Sequence, residues 1–277
     1  MQQQALHLMS VEGKERRTGY IAIASGKGGV GKTLITINAG RILSKNRYRV
    51  LIVDGDLGLS NVHIMLGITP PKNLYNFFMG EVPLEEVVVP VEENLAFISS
   101  GSGVRELVNL PPAQLKHLIM KLQEYAERNY DWVIFDTPPG IHSDTTALVS
   151  SSHIPIVLTT PEPTSIADAY GLIKVLNLEE KVPQFYLLVN KVSSQEEGKR
   201  VFEGIRVVCE KFTNAEVLYL GSIRYDPKII RKIINQTPFS DELTRELTQA
   251  LSKLPLSIKP PSYSFWEKLL LKLRRSS

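Results

Sequence analysis

Cysteine is nearly absent from this chain: Cys209 is the one example in 277 residues. That excludes an intrachain disulfide and a cysteine-rich metal site, and Cys209 reads as a packed residue on a helix. Long hydrophobic runs are missing too. No stretch of about 18 apolar residues occurs, and the opening MQQQALHLMSVEGKERR has no apolar core of signal-peptide length. The expectation is a cytoplasmic protein. An excess of charge is also lacking over most of the chain. Of 32 basic and 29 acidic residues, the last 13 positions hold four of the first and one of the second. The rest therefore carries 28 of each, which argues against bulk electrostatic binding of nucleic acid.

What is present is an ordinary globular composition, 43% hydrophobic and 22% charged. Continuous apolar, β-branched runs at 20–25, 50–54, 95–99, 132–136, 155–159, 185–190 and 217–221 alternate with helical patterns. The helical patterns begin at Lys32, Pro112, Ser165, Gly198, Pro227 and Asp241. This is the signature of an α/β fold, a doubly wound, mostly parallel sheet with helices on both faces. The expected division is a loose arm at 1–17, a nucleotide-binding domain at 18–253, a proline-containing linker at 254–264 and an amphipathic helix at 265–277.

Function enters with ASGKGGVGKT at 24–33. Gly26, Gly31, Lys32 and Thr33 fill the phosphate-loop pattern after a strand and before a helix. Gly28, Gly29 and Val30 lie between them, where backbone N–H groups approach phosphate oxygens. Lys32 is expected on the β- and γ-phosphates and Thr33 on Mg²⁺. LIVDGDLG ends a strand at Asp54 and Asp56, placed to order a magnesium shell and orient water. WVIFDTPPG ends another at Asp136, in a Walker-B-like pattern with Gly140 able to sense the γ-phosphate. In LLVNKVSS, Asn190 and Lys191 are followed by Ser193 where a guanine-specific loop has an acid, which favours ATP. Lys27 is a lysine beyond what the loop needs.

These residues resemble the deviant-Walker-A ATPases of the MinD/ParA family, in which a lysine at the front of the loop is the hallmark. The resemblance implies an ATP-bound homodimer, with Lys27 of each subunit reaching the phosphates of the other. Asp56 would act on the attacking water and Asp136 on Mg²⁺. Asn190, Arg224 and Asp226 would frame the adenine. DGDLGLSNVHIMLGI, ISSGSGV and TTPEPTSIADAYGLIK look like the flagellar-number regulator branch, of FlhG and FleN type. That likeness implies slow, partner-stimulated hydrolysis, with flagellar switch-complex proteins and the FlhF GTPase as partners. The sequence departs from the pattern at Arg224, where the family usually has proline, and at the doubled proline 138–139. The N-terminal QQALHLM keeps Gln4, Ala5 and Leu8 of an arm that stimulates the GTPase in that branch, but not its charged ends.

At helical spacing, Phe265, Trp266, Leu269, Leu270 and Leu273 share one face, with Lys268, Lys272 and Arg275 towards the other. A basic amphipathic helix of this kind fits an anionic membrane surface, which would place the protein reversibly at the inner face of the cell membrane. It also fits a helix docked on the body. Two other roles share the ATP site: a MinD that selects the division site, and a ParA-like DNA-partitioning ATPase.

Overall fold

The computed structural model describes residues 18–55, 62–99, 112–256 and 265–273. The apolar runs assemble into one sheet of β1 (Gly19–Ala24), β2 (Val50–Asp54), β3 (Val88–Glu92), β4 (Leu95–Ile98), β5 (Trp132–Asp136), β6 (Ile154–Thr159), β7 (Gln184–Val192) and β8 (Glu216–Arg224). Their spatial order is β3-β4-β2-β5-β1-β6-β7-β8. Every pairing is parallel except β3 with β4. Strand order reverses around β1, and ligand crevices open at such points, beyond the carboxyl ends of the strands.

The runs expected as strands do not include 88–92, which forms the edge strand β3 with Pro90 inside it. At a sheet edge the missing N–H costs no ladder bond, and the pairing slips between Pro90 and Glu92.

The helices are α1 (Lys32–Lys45), α2 (Val62–Leu66), α3 (Leu74–Phe78), α4 (Pro112–Asn129), α5 (Ser143–Ser151), α6 (Pro163–Leu178), α7 (Gln195–Phe212), α8 (Lys228–Ile234), α9 (Asp241–Leu251) and α10 (Phe265–Leu273). Three of these, α2, α3 and α5, have no counterpart in the sequence reading. The sequence of α5 is SDTTALVSS, whose serines and threonines favour caps and turns. Burial of Thr145, Ala147 and Val149 holds it helical instead. Both α6 and α7 begin earlier than the apolar pattern does. Pro163 supplies a preset first turn for α6, and the Ser194 side chain accepts the Glu197 N–H to cap α7.

Alternate residues of β1 feed different cores. Ile21 and Ile23 pack with α1 and α9, and Tyr20 packs with α4 and α10 on the opposite face. Ala22 and Ala24 lie with α6 and α7. Cys209 is buried on α7, and burial raises its thiol pKa to about 11; it is a packing residue, as expected.

The C-terminal helix departs most from its expected place. The face expected to meet lipid is turned inward: Phe265, Trp266 and Leu269 are all buried in the α4–α5 side of the body. Phe265 stacks between Tyr20 and Phe135, with ring centroids at 4.4 and 4.9 Å. The Trp266 indole N–H donates to the Tyr20 hydroxyl at 2.7 Å, and that hydroxyl donates to Glu127 at 3.4 Å. Lys272 pairs with Glu180. Leu270 is half-buried and Leu271 faces outward. The side chain of Leu273 lies outside the described residues. The docked alternative, not a free lipid-facing helix, is the arrangement found.

Candidate nucleotide site

Between β1 and α1 the chain turns through Gly29 and Gly31, at φ 77° and 97°, values that favour glycine. At Gly26 a Cβ would stand 2.3 Å from the carbonyl oxygen of Asp168, so no side chain fits. Gly31 is the N-cap of α1 and makes no side-chain cap bond. The first N–H groups of the helix are thus available to an anion, with the helix dipole behind them. They face a cavity of about 460 Å³. The loop residues 27–33 line one end, and Ile223, Arg224, Tyr225, Asp226, Ile229 and Ile230 line the other. The first end is built for phosphate and the second presents apolar walls suited to a base.

Two acidic strand ends meet beside the loop, since Asp54 on β2 is in register with Asp136 on β5. The Asp136 carboxylate accepts the Thr33 hydroxyl at 2.6 Å and the Thr36 hydroxyl at 3.3 Å. Lys32 Nζ stands 3.4 Å away. Burial raises the pKa of Asp136, and the Lys32 charge with the two hydroxyls partly offsets this. Asp54, equally buried, accepts the backbone N–H of Val62 at 3.2 Å and so ties β2 to the start of α2. The segment after Asp136 returns to the loop: Gly140 N–H donates to the Ser25 carbonyl at 2.9 Å. Thr145 of α5 donates to the Pro138 carbonyl at 3.1 Å.

Lys27 lines the cavity but turns its ammonium to residues outside that lining. Its ammonium donates to Glu162 and to the Thr164 hydroxyl, both at 2.8 Å. This bond, with the Lys27 charge, lowers the pKa of the Glu162 carboxyl.

At the base end, Asn190 is buried and donates to the Val30 carbonyl at 2.7 Å, so its amide braces the loop. Arg224 lines the cavity, but its guanidinium pairs with Glu242 at 2.5 Å and Glu246 at 2.7 Å. The arginine thereby ties the end of β8 to α9. Asp226 accepts the Lys228 N–H at 2.9 Å at the start of α8. Sequence reasoning named Lys191 but gave it no role at the loop, where its ammonium donates to the Gly29 carbonyl at 2.8 Å. Its adjacency to Asn190 was visible, but not the geometry that turns both side chains to the loop. Asp56, and Gln4, Ala5 and Leu8 of the N-terminal arm, lie outside the described residues.

A family model described as the CobQ/CobB/MinD/ParA nucleotide binding domain matches residues 21–239, from β1 past the base end of the cavity. The chain is 31% identical over 248 residues to the antiactivator FleN of Pseudomonas aeruginosa, covering 87% of this chain and 88% of FleN. It is 33% identical over 267 residues to the flagellum site-determining protein YlxH of Helicobacter pylori, covering 91% and 90%. Among solved structures, the MinC:MinD cell division protein complex of Aquifex aeolicus matches with a TM-score of 0.68 at 25% identity. That match covers 89% of this chain and 99% of the other. Of these relatives, YlxH carries a flagellar description, in line with the branch that TTPEPTSIADAY suggested. A phosphate loop on β1, an acid at the end of β5 and a second lysine at the loop's front coincide with a match over most of the chain: it belongs to the CobQ/CobB/MinD/ParA nucleotide-binding family.

Proposed function

We propose that this chain is an ATP-hydrolysing switch that dimerises with ATP, binds the membrane reversibly and sets the number or placement of flagella. The observation that carries the reading is the pair of loop lysines facing different ways. Lys32 lies against Asp136, whereas Lys27, which also lines the cavity, gives its ammonium to Glu162 and Thr164 beyond that lining. A lysine so placed is available to a phosphate on a second copy of the chain.

Thr33, Asp136 and Asp54 form an all-oxygen set that fits a hard divalent cation such as Mg²⁺. Among the described residues no group of three or more His, Cys, Asp or Glu could hold a metal by itself, so the nucleotide phosphates would complete the shell. Bound there, the ion would neutralise phosphate charge. This chain's own part is to hold the phosphates on loop N–H groups and Lys32, and to keep Asp136 oriented through Thr33 and Thr36. Asp56 is proposed to position the attacking water. Asn190, Arg224 and Asp226 are proposed to bound the adenine pocket, the first and second through the bonds that fix its walls.

The docked tail supplies the switch's output. No described helix is long and apolar enough to cross a membrane, so attachment would be peripheral, through the face of α10 now buried. That face lies against Phe135, one residue before Asp136, and against α5, which follows the Gly140 turn. Movement of that turn on ATP binding would therefore reach the docking groove. Partners among flagellar switch-complex proteins, and the GTPase contacted by the N-terminal arm, complete the proposal.

Deleting the gene and counting flagella per cell, with minicells scored in the same images, tests the reading. An altered number or position of flagella with normal division is expected. Minicells with unchanged flagella would transfer the same switch to division-site selection.

A further inference from the structure

We infer that Lys191 is a positioning residue that holds the phosphate loop in its anion-binding form, acting as a pair with Asn190; the inference rests on the ATP-switch reading. In a regular strand, successive side chains point to opposite faces, so Asn190 and Lys191 should not reach the same loop. Here they do. Asn190 pairs with Ile223 and Val192 with Arg224, which leaves Lys191 as an extra residue in β7. Lys191 has φ 58°, a left-handed conformation that an L-residue other than glycine rarely adopts without a local reason. Such bulges re-aim side chains next to functional sites. This one turns two adjacent residues onto two adjacent carbonyls: Asn190 onto Val30 at 2.7 Å and Lys191 onto Gly29 at 2.8 Å.

The consequence follows from peptide planarity. In a trans peptide the C=O of one residue and the N–H of the next point in opposite directions. Drawing the Gly29 carbonyl towards Lys191 aims the Val30 N–H the other way, and drawing the Val30 carbonyl towards Asn190 does the same for the Gly31 N–H. Both N–H groups belong to the loop that lines the cavity. A phosphate needs these donors turned towards it and the carbonyls turned away. The ammonium, which lines the same cavity as the loop, does a second thing for an anion: it partly neutralises the Gly29 carbonyl dipole, which an incoming phosphate would otherwise feel as negative. Lys191 is thus assigned an effect on phosphate affinity that acts through the Gly29 carbonyl it holds.

Titration of Mg²⁺–ADP and of inorganic pyrophosphate into the wild type and three variants tests this. Lys191→Met should weaken both ligands together, by about tenfold. Lys191→Arg, which keeps a charged donor, should stay within about threefold of the wild type. Lys191→Gly removes the ammonium but relieves the left-handed backbone, so it should melt no lower than the wild type while binding as weakly as Lys191→Met. Loss of ADP affinity with pyrophosphate unchanged would assign Lys191 to the base and overturn the inference. So would unchanged ADP binding in Lys191→Met, or an equal loss in Lys191→Arg. A wild type that binds neither ATP nor ADP would instead overturn the ATP-switch reading itself.

Discussion

Lys27 and His153 show how much the meaning of a single side chain depends on what it is bonded to. Lys27 is held by contacts at the surface, with Glu162 more than half exposed. Ion pairs of this kind contribute little to stability, so a phosphate of higher charge can replace them at small cost. Lys27→Ala is expected to abolish the ATP-dependent dimer seen by light scattering while ADP still binds the monomer; a dimer that persists would refute the trans role. His153 is half-buried, with a different set of partners. Its Nδ1 accepts the Tyr20 backbone N–H at 3.2 Å, and its Nε2 is buried without a partner. Burial, aided by the charge of Lys268 on α10, lowers its pKa to about 4. A base whose pKa is depressed by folding destabilises the fold as pH falls, starting near its ordinary value of about 6.5 and levelling off below about 4. At pH 5 the loss relative to pH 7 is up to about 2 kcal/mol. The melting temperature should fall by roughly 4–8 °C between these pH values, and by less in His153→Asn.

Among the elements, α10 was the hardest to place from sequence. An apolar stripe at helical spacing reads the same whether it faces lipid or protein, because both bury it equally well. What decides is the partner surface, and Tyr20 and Phe135 come from strands more than 100 residues away. The strand ends at Asp54 and Asp136 were legible because continuous apolar runs stop at an acid. The loop was legible because its glycines admit few other uses. The β7 bulge was not, since it interrupts hydrogen bonding and leaves the apolar pattern intact. The docked helix also yields a test. Tyr20→Phe removes the acceptor of the Trp266 N–H, and a buried donor left unpaired costs about 1–3 kcal/mol. More of the variant than of the wild type should sediment with anionic vesicles in the absence of nucleotide. Equal sedimentation would mean that docking does not compete with the membrane.

For the whole molecule, β5 joins what would otherwise be two separate devices. Its last residue, Asp136, faces the nucleotide site, and the residue before it, Phe135, supports the docked tail. An equilibrium between docked and membrane-bound α10 that is biased by ATP should appear as more vesicle co-sedimentation with ATP than with ADP. Two tails on one dimer would amplify the difference by avidity. Equal binding in the two nucleotides would separate the tail from the switch. The same packing has an optical consequence. The chain has two tryptophans; Trp132 is buried in the core, and Trp266 sits on α10, the helix proposed to move. With Trp132 replaced by phenylalanine, the remaining indole would emit to the blue while bonded to Tyr20 and shift to the red on entering water. The protein thus carries its own unlabelled fluorophore where the docked tail meets the body, and any release of that tail proposed above would be read in real time from its native emission.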